Sequence, residues 1–342
     1  MPSAPPSPGS PLAVSVALCT HNGAAYAGEQ VRSILDQEPA PAELVVGDDA
    51  STDGTVAVIR AAVARHRAEH PDSTIALRIM ERDAPLGVTR NFEQTIAACS
   101  GDVVALSDQD DVWPAGRLAR LLPLFADPAV LLVHTDARLV DADGRDSGAR
   151  LLSTLEASPR EIALLERGAA LEVLIRRNLV TGATVLLRRE LAERSMPFPE
   201  SWVHDEWLAM MAAVDGGLRL VPEPWLDYRQ HGANVIGASE VTWARRWERL
   251  REPRDERAPR LVARAAALVE RLEQRPDRAD ALRLARAKLA HERTRASMPH
   301  AQPLRLPSIL AGVIAGRYSR YSRGAIDIAR DLVQPATRTG GR

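Results

Sequence analysis

From residue 14 onward, short apolar runs rich in β-branched residues alternate with longer stretches of helical period. Residues 14–18, 44–47, 75–80 and 103–106 predict strands, and 26–37, 55–67 and 88–99 predict the helices between them. Strands that are apolar throughout and alternate with helices imply βαβ units and a parallel sheet covered on both faces. After a strand at 130–133 the rhythm changes. A hairpin is expected across 136–145 around Asp143-Gly144, then a helix at 163–177 and strands at 183–188 and 218–221, so the second half reads as mixed. Beyond Ser239 the strand signals stop. Residues 243–250, 258–274 and 278–295 carry charged helical patterns broken by Pro253 and Pro276, which predicts a helical hairpin.

The pattern divides the chain into a Pro/Ser-rich leader at 1–11, expected to be disordered, an α/β domain at 12–238, a charged helical hairpin at 239–300 and an amphipathic basic tail at 301–342. Charge follows the same division. The overall net charge of -1 conceals about -12 before Ser239 and about +11 from there on. Acidic residues interspersed with the basic ones, and the lack of a recognisable module, argue against nucleic acid as the partner of that basic part. In the tail, the apolar run 309–315 is followed by Arg317, Arg320, Arg323 and Arg330, a combination suited to lying on a membrane surface and too short to span one.

With 45% hydrophobic and 26% charged residues, the 342-residue chain has the makeup of a globular protein. Cys19 and Cys99 are its two cysteines, so no disulfide framework is expected and a reducing compartment, the cytoplasm, is favoured. The leader has neither the basic nor the apolar region of a secretory signal.

Two strand ends carry clustered acids. Val45-Val-Gly-Asp48-Asp49-Ala-Ser-Thr-Asp53-Gly54 places Asp48 and Asp49 where an apolar strand emerges, at the end of an open α/β sheet where ligands bind. Asp53 reads instead as part of the cap of the following helix. Ala105-Leu-Ser-Asp108-Gln-Asp110-Asp111-Val-Trp113 repeats the arrangement. If the chain stays extended there, Asp108 and Asp110 share a face and suit a hard cation that arrives with a diphosphate; a solvated acidic loop is the other reading. His204-Asp205-Glu206-Trp207 sets carboxylates beside a histidine, as a general base requires, and His231-Gly232 lies within Tyr228-Arg-Gln-His-Gly-Ala-Asn234.

Taken in order, Leu18-Cys-Thr20-His-Asn22-Gly23, Val46-Gly-Asp48-Asp49-Ala-Ser-Thr-Asp-Gly54, Leu86-Gly87-Val-Thr-Arg90-Asn91-Phe92, Ser107-Asp-Gln-Asp-Asp-Val-Trp113, His204-Asp205 and Tyr228-Arg-Gln-His-Gly232 resemble the family 2 glycosyltransferases. The resemblance runs from the first strand to about Ala238. It implies a GT-A type α/β/α sandwich with a mixed, mostly parallel central sheet, followed here by the basic helical C-terminal region. By position it implies that Thr20, Asn22, Glu29, Asp48, Arg90 and Asp108 bind the nucleotide sugar. Asp110 and His231 would hold Mg²⁺ or Mn²⁺, and Asp205 would be the catalytic base. His21, Ala50 and His204 depart from the usual tyrosine, glycine and glutamate.

The implied reaction is inverting transfer of a sugar from a nucleotide-diphosphate donor to a hydroxyl of a saccharide acceptor, lipid-linked acceptors included, in surface polysaccharide synthesis. The motif style is nearest to bacterial rhamnosyltransferases, which suggests dTDP-rhamnose, with a UDP-hexose as the near alternative. Glu206 competes with Asp205 for the role of base. Two other functions are weighed: a sugar-1-phosphate nucleotidyltransferase, disfavoured because Thr20-His-Asn-Gly23 is not a basic glycine-rich phosphate loop, and a degenerate, non-catalytic transferase that acts as a binding module. Through its tail the protein would be peripheral on the inner face of the cell membrane.

Overall fold

The computed structural model describes residues 12–231 and 254–335; the expected leader and the helix expected at 243–250 lie outside them. The chain forms two compact units, the first containing 12–170 and 179–231, the second 171–178 and 254–335.

In the first unit, β1 (Val14–Thr20), β2 (Glu43–Asp48), β3 (Ala76–Glu81) and β4 (Val103–Ser107) alternate with α1 (Ala27–Leu35), α2 (Thr55–Glu69) and α3 (Val88–Ala97). These four strands are parallel in the order β3-β2-β1-β4. Side chains of β1 and β4 are buried on both faces almost without interruption, which is why their sequence is apolar rather than alternating. Helix α1 buries Ala27, Gln30, Val31, Ile34 and Leu35, the i, i+3, i+4, i+7, i+8 stripe of a helix lying on a sheet. Edge strand β3 has no buried residue and carries Arg78 and Glu81, charges that discourage edge-to-edge pairing.

After α4 (Arg117–Leu121) the sheet continues with β5 (Leu132–Val140), β6 (Asp146–Arg150) and, beyond the short helices α5 (Leu151–Thr154), α6 (Pro159–Glu166) and α7 (Leu171–Leu174), with β7 (Leu186–Arg188). Helices α8 (Arg189–Ser195) and α9 (His204–Val214) lead to the long β8 (Leu218–Arg229). Strand β7 runs antiparallel between β4 and β5, β6 pairs antiparallel with β5, and β8 pairs parallel with β5. The sheet is thus mixed and mostly parallel on its first-half side, the GT-A type arrangement.

Three expectations need correction. The helix expected at 163–177 is broken: Gly168 has φ 82°, a left-handed conformation that ends α6 and separates it from α7. The strand expected at 183–188 shrinks to Leu186–Arg188 because Gly182–Thr184 is a 3₁₀ turn. The strand expected at 218–221 continues to Arg229 through a register shift at β5, so Tyr228 and Trp225 pack in the sheet core as aromatics.

In the second unit, α10 (Arg254–Glu273) packs on α11 (Ala279–Ala296) across a 3₁₀ turn at Pro276–Arg278. Helices α12 (Leu306–Ile314), α13 (Arg317–Tyr321) and α14 (Ala325–Val333) follow. Much of this unit's positive charge is used internally. Arg295 donates to both oxygens of Asp331 at 2.7 and 2.9 Å, Arg257 pairs with Asp327 at 2.9 Å, and the only lysine, Lys288, donates to Glu292 at 2.7 Å. Arg305 is fully buried and donates to the carbonyls of Pro299, His300, Asp331 and Gln334.

Candidate active site

Strand order reverses direction of growth at β1: the chain builds outward to β2 and β3, then crosses to place β4 on the other side. Such switch points open a crevice at the carboxyl ends of the strands. Thr20, Asp48 and Ser107 are the residues that end β1, β2 and β4. Thr20 Oγ1 donates to Asp48 Oδ1 at 2.7 Å, and Ser51 donates to the same carboxylate through Oγ at 2.6 Å and its N–H at 3.0 Å. Asp48, almost fully buried, lines a cleft of about 410 Å³ together with Thr52, Arg60 and Arg82.

The loops after β1 and β2 are laced together. Asn22 adopts a left-handed φ of 48° and accepts from the Thr52 N–H at 2.9 Å, while its own N–H donates to Ser51 Oγ. Asp53 accepts from the Thr55 N–H at the start of α2, the capping role read from its position. Asp49 corrects an expectation. Its carboxylate accepts from the N–H groups of Leu86 and Gly87 at 2.6 and 2.9 Å, so it fixes the turn into α3 rather than facing a ligand. In the first turn of α3, Arg90 is paired with Glu93, whose other oxygen accepts from the Phe198 N–H at 2.6 Å.

At the end of β4 the chain bends at Gln109 and Asp110 instead of staying extended, so strand periodicity does not set Asp108 and Asp110 on one face. They still act on one another through their charge. Burial, and after it the charges of Asp110 and Asp205, push the Asp108 carboxyl up to about 7. Asp110 Oδ2 lies 2.8 Å from His231 Nε2, and the His231 ring stacks on Tyr26 at 4.7 Å between centroids.

Arg229, just before His231, organises this corner. Its backbone N–H donates to Asp111 Oδ1 at 3.0 Å, Nε to the Asp110 carbonyl at 2.8 Å, Nη1 to the Ala142 carbonyl at 2.8 Å and Nη2 to Glu29 at 2.7 Å. Its guanidinium also lies over the Tyr26 ring. Among the described residues no group of three or more His, Cys, Asp and Glu is arranged to hold a metal ion. Asp110 and His231 offer two ligands, a set that fits a hard divalent cation only if a diphosphate completes its coordination.

Asp205 stands in the first turn of α9, where its charge is favoured by the helix N-terminus. Oδ2 accepts from the Gly182 N–H at 2.8 Å and Oδ1 from the Glu206 N–H at 2.7 Å. A Cβ on Gly182 would fall 3.1 Å from His204 Nε2 and 3.3 Å from Asp205 Cβ, so the glycine is what lets this backbone come close. His204 is buried, stacked on Phe92 at 3.9 Å, and burial pulls its pKa down to about 3.

Residues 15–194 match the family described as Glycosyl transferase family 2. The chain belongs to that family. Among curated relatives, it is 27% identical over 221 residues to the succinoglycan biosynthesis protein ExoO of Rhizobium meliloti, covering 64% of this chain and 60% of that one. It is also 27% identical over 248 residues to the dTDP-rhamnosyl transferase RfbG of Shigella flexneri, covering 68% and 78%. The chain spans 60% of the length of the first curated relatives it matches. The crystal structure of S. aureus TarS 1–349 in complex with UDP-GlcNAc shares the fold, with a TM-score of 0.51, 17% identity, and coverage of 93% of this chain and 90% of that one.

For this family 2 chain, the fold brings Thr20 to Asp48, Asp108 to the neighbourhood of Asp110 and Asp205, and Asp110 to His231. Asn22 is bonded to Thr52 beside the Asp48 cleft and Glu29 to Arg229 in the Asp110–His231 corner, whereas Arg90 is paired with Glu93. Four supporting residues escape a reading of motifs, namely Tyr26, Gln109, Gly182 and Arg229. Arg229 and Gln109 lie inside the motifs Tyr228-Arg-Gln-His-Gly232 and Ser107-Asp-Gln-Asp-Asp-Val-Trp113, which do not reveal their partners. Gly182 carried no signal at all.

Proposed function

We propose that this chain transfers a sugar, with inversion, from a nucleotide-diphosphate donor to a hydroxyl of a saccharide acceptor in surface polysaccharide synthesis. The observation that carries the reading is Asp110 set 2.8 Å from His231 just beyond the end of β4, with Asp108 beside them under the charges of Asp110 and Asp205. Relatives in polysaccharide biosynthesis support the acceptor class, and the relative named as a dTDP-rhamnosyl transferase makes dTDP-rhamnose the donor of choice, ahead of a UDP-hexose. Membership of family 2 displaces the sugar-1-phosphate nucleotidyltransferase reading.

In this reading Asp48 accepts from the pyrimidine edge at the cleft it lines with Thr52 and Arg82, with Thr20 holding its carboxylate in place. Asp110 and His231 would hold Mg²⁺ or Mn²⁺, which when bound would offset charge on the leaving diphosphate. Asp205 takes the proton of the acceptor hydroxyl as that oxygen attacks the anomeric carbon opposite the diphosphate. Two backbone N–H groups fix the orientation of the Asp205 carboxylate, as a positioned base requires, and this supports it over Glu206. No covalent sugar adduct is needed. A thermal-shift screen of nucleotide diphosphates and nucleotide sugars, with and without Mn²⁺ or Mg²⁺, tests the reading, because a ligand that binds only the folded state raises its melting temperature. Stabilisation by dTDP and dTDP-rhamnose that needs the cation is expected. No stabilisation by any pyrimidine diphosphate would sink it, and preference for a UDP-sugar would reassign the donor.

A further inference from the structure

Exposed apolar side chains are concentrated in one short stretch of the second unit. Of nine large hydrophobic side chains exposed among the described residues, seven lie between Leu304 and Val333. Five of these, Leu304, Leu306, Leu310, Val313 and Ile314, belong to α12 or the turn before it, and Ile314 is 87% exposed. Leu306, Leu310, Val313 and Ile314 follow a spacing of one helix face. The opposite face is the one that packs: Ile309 and Gly312 are buried, and a Cβ on Gly312 would meet the Tyr318 ring at 2.8 Å. Both faces of α12 are therefore apolar, and the described residues of the unit cover only one.

The charges beside this face are of one sign. Gly316, with φ 65°, turns the chain directly from Ile314 into α13, which buries Tyr318 and Tyr321 and leaves Arg320 exposed and Arg317 half-buried. Between Arg293 and Pro335 the only acids are Asp327 and Asp331. Both are buried, Asp327 with Arg257 and Arg330, Asp331 with Arg295 and Tyr318. No acidic side chain in the stretch is left to repel an anionic partner. Arg330, expected from sequence among the outward arginines, is used up on Asp327.

We propose that the outer face of α12, with Arg317 and Arg320, docks on an anionic lipid bilayer. Apolar side chains enter the acyl boundary while the arginines meet head-group phosphates, the arrangement of a helix lying in the interface plane. No helix among the described residues is long and apolar enough to cross a membrane; a contact made by one helix face and two arginines is salt-sensitive. The proposal stands apart from the chemistry of the sheet: it holds or fails whatever sugar is transferred.

Co-sedimentation of the full chain with phosphatidylcholine vesicles, with or without one third phosphatidylglycerol, is the test. Binding to the anionic vesicles and release by 1 M salt are expected. The double variant L310D/I314D should lower the partition coefficient at least tenfold, and R317Q and R320Q about fivefold each. Circular dichroism melting of each variant, unchanged from the parent, shows that the fold survives. Failure of the parent to bind anionic vesicles, or equal binding by parent and L310D/I314D, overturns the proposal. So does light scattering that finds a parent dimer converted to monomer by L310D/I314D without vesicle binding, which would make a second copy the occupant of this face.

Discussion

The side-chain amide of Gln109 closes two hydrogen bonds on the backbone of His21, accepting from its N–H at 2.8 Å and donating to its carbonyl at 3.0 Å. This clip ties the loop holding Asp108 and Asp110 to the turn after β1. Gly23 is part of it, since a Cβ there would fall 2.2 Å from Gln109 Oε1. Replacing Gln109 by Ala removes two bonds worth about 1 kcal/mol each. The expected outcome is roughly tenfold weaker binding of dTDP or UDP with Mn²⁺ by calorimetry, with melting temperature lowered by only a few degrees.

Cation dependence should run through Asp110. Asp110→Asn preserves shape and removes the charge facing His231, so nucleotide diphosphate affinity should cease to depend on Mn²⁺ or Mg²⁺. Calorimetry with and without the cation checks this, and an unchanged cation dependence would refute the assignment.

Gly182 offers a way to disturb Asp205 without touching it. A methyl group at this position crowds His204 and Asp205, so Gly182→Ala should lower kcat by about 10-fold or more while leaving donor affinity intact. Asp205→Asn should cost about 10² to 10⁴ in rate, and Glu206→Gln far less. Turnover of Glu206→Gln as low as that of Asp205→Asn would reverse the two roles.

Ala50 has φ 59°, a conformation that suits glycine better than alanine. Ala→Gly substitutions elsewhere cost about 0.5 to 1 kcal/mol, but Ala50→Gly should leave thermal stability unchanged or raised. Ala50→Val should lower it by about 1 to 3 kcal/mol, as measured by chemical denaturation.

Acid should destabilise the protein through buried neutral histidines. Burial pulls His134 and His204 down to about 3 and His291 to about 4, all below the ordinary 6.5. Between those values the unfolded chain takes up protons that the folded one refuses. Stability from these groups is thus complete above pH 6.5 and is lost as pH falls toward 3, at about 1.4 kcal/mol per unit for each histidine. His134→Leu removes one of the three and should flatten the fall of melting temperature between pH 6.5 and 4.

The strand and helix rhythm up to Ser107 was readable because its elements, the edge strand β3 excepted, bury a continuous stripe, and stripes are written locally. Asp48, Asp110 and Asp205 were readable because acids at the ends of apolar strands or helices stand out by position. The partnerships were not. Asp49 looked like a ligand for the same positional reason as Asp48, yet it is committed to Leu86 and Gly87, contacts 37 and 38 residues away. Gly168 interrupts a helical pattern without a proline, through a φ that only the folded chain reveals. Arg330 resembled Arg320 in the sequence and differs from it only because Asp327 lies one turn back.

The bond from Arg229 to Glu29 joins residues 200 positions apart. Through it the first helix, the acid loop after β4 and the last strand are fastened at one guanidinium. Contacts of such high sequence separation form late in folding, because a long loop must close before they gain anything. On the ribosome, the β1, β2 and β4 ends emerge well before β8, and the corner that holds Asp110 and His231 has to wait for it. The nascent chain therefore carries Asp110 without its His231 partner until the final strand docks.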